Sequence, residues 1–125
     1  MGQFSFSKAE RLTGKTNIQE LFAKGSSFYL HPFKIIYLPT AHEKAVTNQI
    51  LISVPKSNFK KAVDRNTIKR RIREGYRLNK NILSQNPKMR IAYIYTPREI
   101  ISTSVIHDKV KATLKKVKEK CIAKK

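Results

Sequence analysis

The chain has 125 residues, enough for one hydrophobic core but not two, and a hydrophobic fraction of 40% that excludes a disordered tail. Lys and Arg number 27 against 8 Asp and Glu, a formal charge of +19 that repels itself in a compact domain and calls for a polyanionic partner. No apolar run approaches the roughly 20 residues of a spanning helix. Met1 to Arg11 lacks a signal-peptide pattern, and the single cysteine, Cys121, fits a reducing, cytoplasmic setting.

No internal repeat or linker divides the chain, so residues 1–125 read as a single domain. Residues 1–14 are polar, with Phe4 and Phe6 as isolated apolar points, and read as an extended arm. Thr16-Asn17-Ile18-Gln19 has the spacing of a capping box. Ile18, Leu21 and Phe22 follow at helical spacing and Gly25 supplies a stop, predicting a helix over about 16–24. Residues 26–30 can add a short strand before Pro32. Residues 33–38 and 49–54 are rich in strand formers and end at prolines, with the polar segment 40–48 predicted as a hairpin loop between them. A long helix is predicted over about 59–80, a strand over 91–95, and a last helix from about Ser104. In that helix Val105, Ile106, Val110, Leu114, Val117 and Cys121 recur at spacings of three and four. The order implies an α+β fold with one small sheet and a crossover around the long helix.

The segment from Lys56 to Lys80 holds ten basic residues and two acids, Asp64 and Glu74. Asn66, Lys69, Arg70, Arg73 and Arg77 fall at i, i+3, i+4, i+7 and i+11, one stripe of a helix, with Arg65 beside it. Ile68, Ile72 and Tyr76 form a separate apolar stripe. One side can therefore dock on a sheet while the other presents guanidinium groups suited to bidentate bonds with phosphates. A merely solvated face usually mixes signs to gain i,i+4 pairs, and this stripe contains no acid. No helix-turn-helix, zinc-finger or zipper pattern surrounds it, and phosphate binding with little base readout suits a structured RNA. A structural ribosomal-RNA-binding protein is an alternative from another class; a role at an anionic membrane surface ranks third, and no membrane partner is expected.

The eight acids are scattered, several beside lysines, and His31, His42 and His107 lie in separate predicted elements. This is no pattern for a nuclease acting alone. Neither catalytic nor metal-ligating residues are assigned. The run from Lys109 to Lys125 holds eight lysines and one acid, Glu119, and reads equally as a solvated face or as diffuse phosphate attraction.

The run Ala62-Val63-Asp64-Arg65-Asn66-Thr67-Ile68-Lys69-Arg70-Arg71-Ile72-Arg73-Glu74 resembles the signature of the protein subunit of bacterial ribonuclease P. Arg11-Leu12, Phe22-Ala23-Lys24-Gly25, Phe33, Ser53-Val54 and Lys56 also fall where that family has similar residues, so the resemblance covers most of the chain. It implies a four-stranded mixed sheet packed with helices, with a left-handed βαβ crossover, as in a domain of a small-subunit ribosomal protein. It also implies an endonuclease complex that hydrolyses the phosphodiester bond at the 5′ leader of precursor tRNA. The RNA subunit carries the catalytic centre and holds most of the Mg²⁺. The protein, one per catalytic RNA, binds that RNA, grips the leader and favours metal binding, without cleaving alone. Arg65, Asn66, Lys69, Arg70 and Arg73 match the family's RNA-facing motif, and Lys56, Lys61 and Arg77 are further candidates for the catalytic RNA. Thr67 departs from a frequent arginine, and Lys60-Lys61 from a frequent Gly-Asn after a loop one residue shorter. The leader cleft of the family, between the first helix and the sheet, matches Ile18, Phe22 and Ile36. Phe22 reads as a cleft residue. For Ile18 and Ile36, aliphatic where aromatic rings are frequent, core packing and RNA contact both stand.

Overall fold

The computed structural model describes residues 11–12, 14–39, 48–83 and 88–123, the last three as backbone. Helix α1 spans Lys15–Lys24, followed by strands β1 (Ser26–Leu30), β2 (Phe33–Pro39) and β3 (Gln49–Ser53). Helix α2 spans Ala62–Asn79 and runs into a short 3-10 turn, Lys80–Leu83. Strand β4 (Met89–Tyr95) and helix α3 (Thr103–Ala123) complete the order. The four strands make one sheet in the order β1-β2-β4-β3. β1–β2 and β2–β4 pair antiparallel, and β3–β4 pair parallel. The fold is thus α+β with a mixed four-stranded sheet, and α2 carries the crossover between the parallel strands.

One expectation fails here. Residues 40–48 do not close a hairpin, because β4 lies between β2 and β3. A polar loop between two strand-like runs has the same composition whether or not the strands become neighbours. The segment 40–47 and the arm over residues 1–10 lie outside the described residues, as does the side chain of Cys121. Asn48, at the end of that segment, is buried, and its Oδ1 accepts the backbone N–H of Met89 at 2.8 Å.

The sheet is covered on both faces. Phe33, Ile35 and Tyr37 of β2 and Ile91, Tyr93 and Tyr95 of β4 face α2 and α3, where they meet Ile68, Ile72, Tyr76, Ile106, Val110, Leu114 and Val117. The alternate residues Ile36 and Ala92 pack with Leu12 and Leu21, beneath α1. Burial on both sides explains why β4 reads as a nearly continuous apolar run. Val105, expected on the apolar face of α3, is exposed, and Thr113 is buried instead. Its hydroxyl lies 3.0 Å from the Tyr93 hydroxyl and donates to the Val110 carbonyl, which makes a polar residue tolerable there.

Burial pushes the pKa of Tyr93 well above that of a free phenol, against a smaller lowering from its bond to Thr113. A phenol with a raised folded pKa stays protonated in the fold while the unfolded chain ionises near pH 10. Its contribution to stability is therefore fully present below about pH 10 and is lost as the pH rises beyond it. Alkaline unfolding should begin there, and Tyr93→Phe should make the urea midpoint less dependent on pH between about 9.5 and 11.

The first helix begins differently from expectation. Gly14, not Thr16, occupies the N-cap, with φ +91° and no side-chain capping bond, and Thr16 lies inside the first turn. The backbone N–H of Ile18 closes that turn on the Gly14 carbonyl. Gly14 is needed for its backbone angle, which residues with a Cβ rarely adopt. Gly25 ends the helix in extended conformation, donating its N–H to the Leu21 carbonyl at 2.8 Å. A Cβ there would sit 2.5 Å from that carbonyl oxygen and 2.7 Å from Ile36 Cγ2, so glycine lets α1 lie close against the sheet.

Candidate nucleic-acid interface

Helix α2 starts at Ala62, three residues later than predicted, because Phe59 is drawn into the core beside Tyr95. Residues 55–59 form a tight turn, with the N–H groups of Asn58 and Phe59 donating to the Pro55 carbonyl. Asp64 sits in the first turn, where a carboxylate complements the positive end of the helix dipole. Ile68, Ile72 and Tyr76 are completely buried, so the apolar stripe fixes the rotation of α2 about its axis. That rotation turns Asn66 and Arg70 to solvent and leaves Lys69 and Arg73 beside β3.

Within the stripe the residues divide. Asn66 and Arg70 are exposed, and Lys69, Arg73 and Arg77 are half-buried. Lys69 and Arg73 line a groove of about 180 Å³ with Arg11, Leu12 and residues Ile50, Leu51 and Ile52 of β3. Arg11 is brought there by an isolated parallel bridge to Ile50, and the Leu12 N–H donates to the Ile50 carbonyl at 2.9 Å. Three cations thus surround an apolar floor, chemistry suited to a phosphate with its sugar. Arg11 was not among the sequence-predicted contacts. Its place across from Arg73 depends on strand pairing that residue spacing does not reveal.

Arg65 acts differently from its neighbours. Its Nη1 donates to the Phe59 carbonyl at 2.7 Å and to the Lys60 carbonyl at 3.0 Å. It braces the loop on which Lys56, Lys60 and Lys61 stand exposed, so part of its guanidinium serves positioning. Arg71, off the stripe, donates from Nη1 to the Ile101 carbonyl at 2.9 Å and ties α2 to the segment before α3. Thr67 returns its hydroxyl to the Val63 carbonyl at 2.9 Å.

At the other end of the sheet face, α1 is held by an ion pair between Glu20 and Arg90 at 2.9 Å. Phe22 is 46% exposed, whereas Ile36 is only 7% exposed and packs against Leu21 and Ala92. Ile18 is half-buried at the margin of the same cluster. Of the three matched cleft positions, only Phe22 presents a ring to solvent, and the aliphatic Ile36 serves the core.

The structure is a mixed-sheet α+β fold whose crossover helix carries a row of cationic side chains with no acid among them. The model of the ribonuclease P family matches residues 6–118. The ribonuclease P protein component of Dictyoglomus thermophilum is 40% identical over 120 residues, covering 96% of this chain and 94% of that protein. The component from Porphyromonas gingivalis is 40% identical over 81 residues, which are 65% of this chain but only 59% of that protein's length. Among solved structures, the Staphylococcus aureus RNase P protein superposes with a TM-score of 0.74 at 28% identity, covering 89% of this chain and 97% of that one. The chain belongs to the ribonuclease P protein family.

Proposed function

We propose that this chain is the protein subunit of the ribonucleoprotein endonuclease that removes the 5′ leader from precursor tRNA. The observation that carries the reading is the two-sided geometry of α2. Ile68, Ile72 and Tyr76 are fully buried on one side, and the row of Asn66, Lys69, Arg70, Arg73 and Arg77, with no acid among them, runs along the adjoining side from the edge of β3 to solvent. In this reading the row, the groove at Arg11 and the loop lysines Lys56 and Lys61 dock on the phosphates of the catalytic RNA. The family signature supports assigning them there. Arg65 contributes by holding the loop in place. The leader follows the opposite face of the sheet past Phe22 and Ile18.

Among the described residues no three His, Cys, Asp or Glu side chains come together as metal ligands. We place Mg²⁺ mainly on the RNA, where it supplies the hydrolytic chemistry. The protein's part is electrostatic and positional. Its cations offset repulsion between two RNAs, and holding the leader fixes the scissile phosphate. No described helix is long and apolar enough to cross a membrane. The proposed site of action is the cytoplasm, with one protein per catalytic RNA.

Reconstitution tests this. Purified protein alone should leave precursor tRNA intact, and protein with the catalytic RNA and Mg²⁺ at near-physiological salt should yield the mature 5′ end. Equal cleavage with and without the protein at every salt concentration would contradict the proposal.

A further inference from the structure

The sheet face beneath α1 continues past the helix and carries a further exposed aromatic residue. Residues paired in register project to the same side of a sheet. The row Ser27–Ile36–Ala92–Leu51 lies under α1, and the next row on that face is Tyr29–Lys34–Ile94–Ser53. Ile94 packs at the margin of the cluster formed by Leu21, Ile36 and Ala92, which confirms the common face. Tyr29 is 55% exposed, and its neighbour Lys34 is exposed as well.

The Tyr29 ring is held rather than free. Its hydroxyl lies 3.1 Å from Thr96 Oγ1 and 3.1 Å from His31 Nδ1. The Thr96 hydroxyl donates to the Pro32 carbonyl. With the Thr96 hydrogen committed to Pro32, the Tyr29 hydroxyl donates to Thr96, and His31 Nδ1 lies against the same phenol oxygen. Thr96 follows β4 and also donates its backbone N–H to the Pro32 carbonyl, so the phenol is tied to the junction of the β1–β2 turn with the end of β4. An exposed ring fixed in this way forfeits little conformational entropy when a flat partner covers it.

We propose that Tyr29 is a stacking platform for an unpaired base of the single-stranded 5′ leader, with Lys34 beside it to neutralise an adjoining phosphate. The inference rests on the leader-binding reading above and extends it along the same face, beyond Phe22. Where this chain has the aliphatic Ile18 and Ile36, Tyr29 provides a π-face one row further on. A second copy of the chain is disfavoured as occupant because both partners would carry +19. Single-stranded RNA satisfies both the ring and the lysine.

The test uses holoenzyme reconstituted with the catalytic RNA, comparing Kd for precursor tRNA bearing a leader with Kd for mature tRNA. Tyr29→Ala should reduce the preference for leader-bearing substrate by about five- to tenfold, leaving mature tRNA unchanged. Tyr29→Leu should lose as much, since it restores apolar area without a π-face, and Tyr29→Phe should keep most of the preference. A 2-aminopurine base placed in the leader should be quenched by the wild-type holoenzyme and less so by Tyr29→Ala. Retained preference in Tyr29→Ala or Tyr29→Leu, or an equal loss for mature tRNA, overturns the assignment. If the wild-type protein itself confers no preference for a leader, the underlying leader-binding reading fails instead.

Discussion

Arg70→Ala combined with Arg73→Ala is expected to weaken binding to the catalytic RNA by about a hundredfold or more. Each arginine is assigned one phosphate, and a hydrogen bond to a charged group contributes about 1.5–3 kcal/mol. The two changes should also lower the slope of log affinity against log salt by about 0.7–0.9 per phosphate lost. Arg70 is the cleaner single change, because it is exposed and its removal opens no cavity. Arg70→Ala alone should cost about tenfold in affinity and leave the melting temperature unchanged or slightly higher, since one self-repelling charge is removed. Arg70→Lys should keep the salt slope but recover only part of the affinity, because the ammonium preserves charge without the planar fork. Binding titrations between about 50 and 200 mM salt read out all of these. Unchanged affinity and slope in the double variant would mean that the stripe faces solvent in the complex.

Ile72→Ala is expected to act on the fold instead. Ile72 is completely buried in the cluster that joins α2 to the sheet and α3. Truncating such a side chain removes its burial and leaves a cavity, at a cost of about 2–5 kcal/mol. A domain of this size has about 5–15 kcal/mol in total, so the urea midpoint should fall markedly. The protein that remains folded should keep the wild-type salt slope, because the cations are intact. Low-slope binding without loss of stability and loss of stability without a change of slope are opposite signatures. Together they separate the two sides of α2. A loss under about 1 kcal/mol would contradict the buried placement of Ile72.

Periodicity makes α2 legible in the sequence itself. A spacing of about 3.6 residues reports directly on which side chains share a face, and both stripes stand where spacing puts them. Strand content was legible for the same reason, through β-branched and aromatic runs closed by prolines. What spacing omits is anything decided between distant segments. The insertion of β4 between β2 and β3 separated two strand-like runs that read as a hairpin. Arg11 joined Lys69 and Arg73 only through pairing with Ile50. Arg65 looked equivalent to Arg70 along the chain, and the carbonyls of Phe59 and Lys60 give it a bracing role. Thr16 had capping-box spacing, yet Gly14 took the cap, because a backbone able to adopt positive φ stood two residues earlier. Ile36 left core packing and RNA contact open in sequence, and its burial against Leu21 and Ala92 favours the core.

The proposal of a particular catalytic RNA as partner rests on the family resemblance, since a ribosomal-RNA-binding protein could use the same basic helix. Ultraviolet crosslinking in living cells, followed by purification of the protein and sequencing of the attached RNA, tests this most directly. The expected result is recovery of the ribonuclease P RNA together with precursor tRNA leaders, with crosslinked peptides from α2 joined to the former. Recovery of ribosomal RNA in place of the catalytic RNA would contradict it.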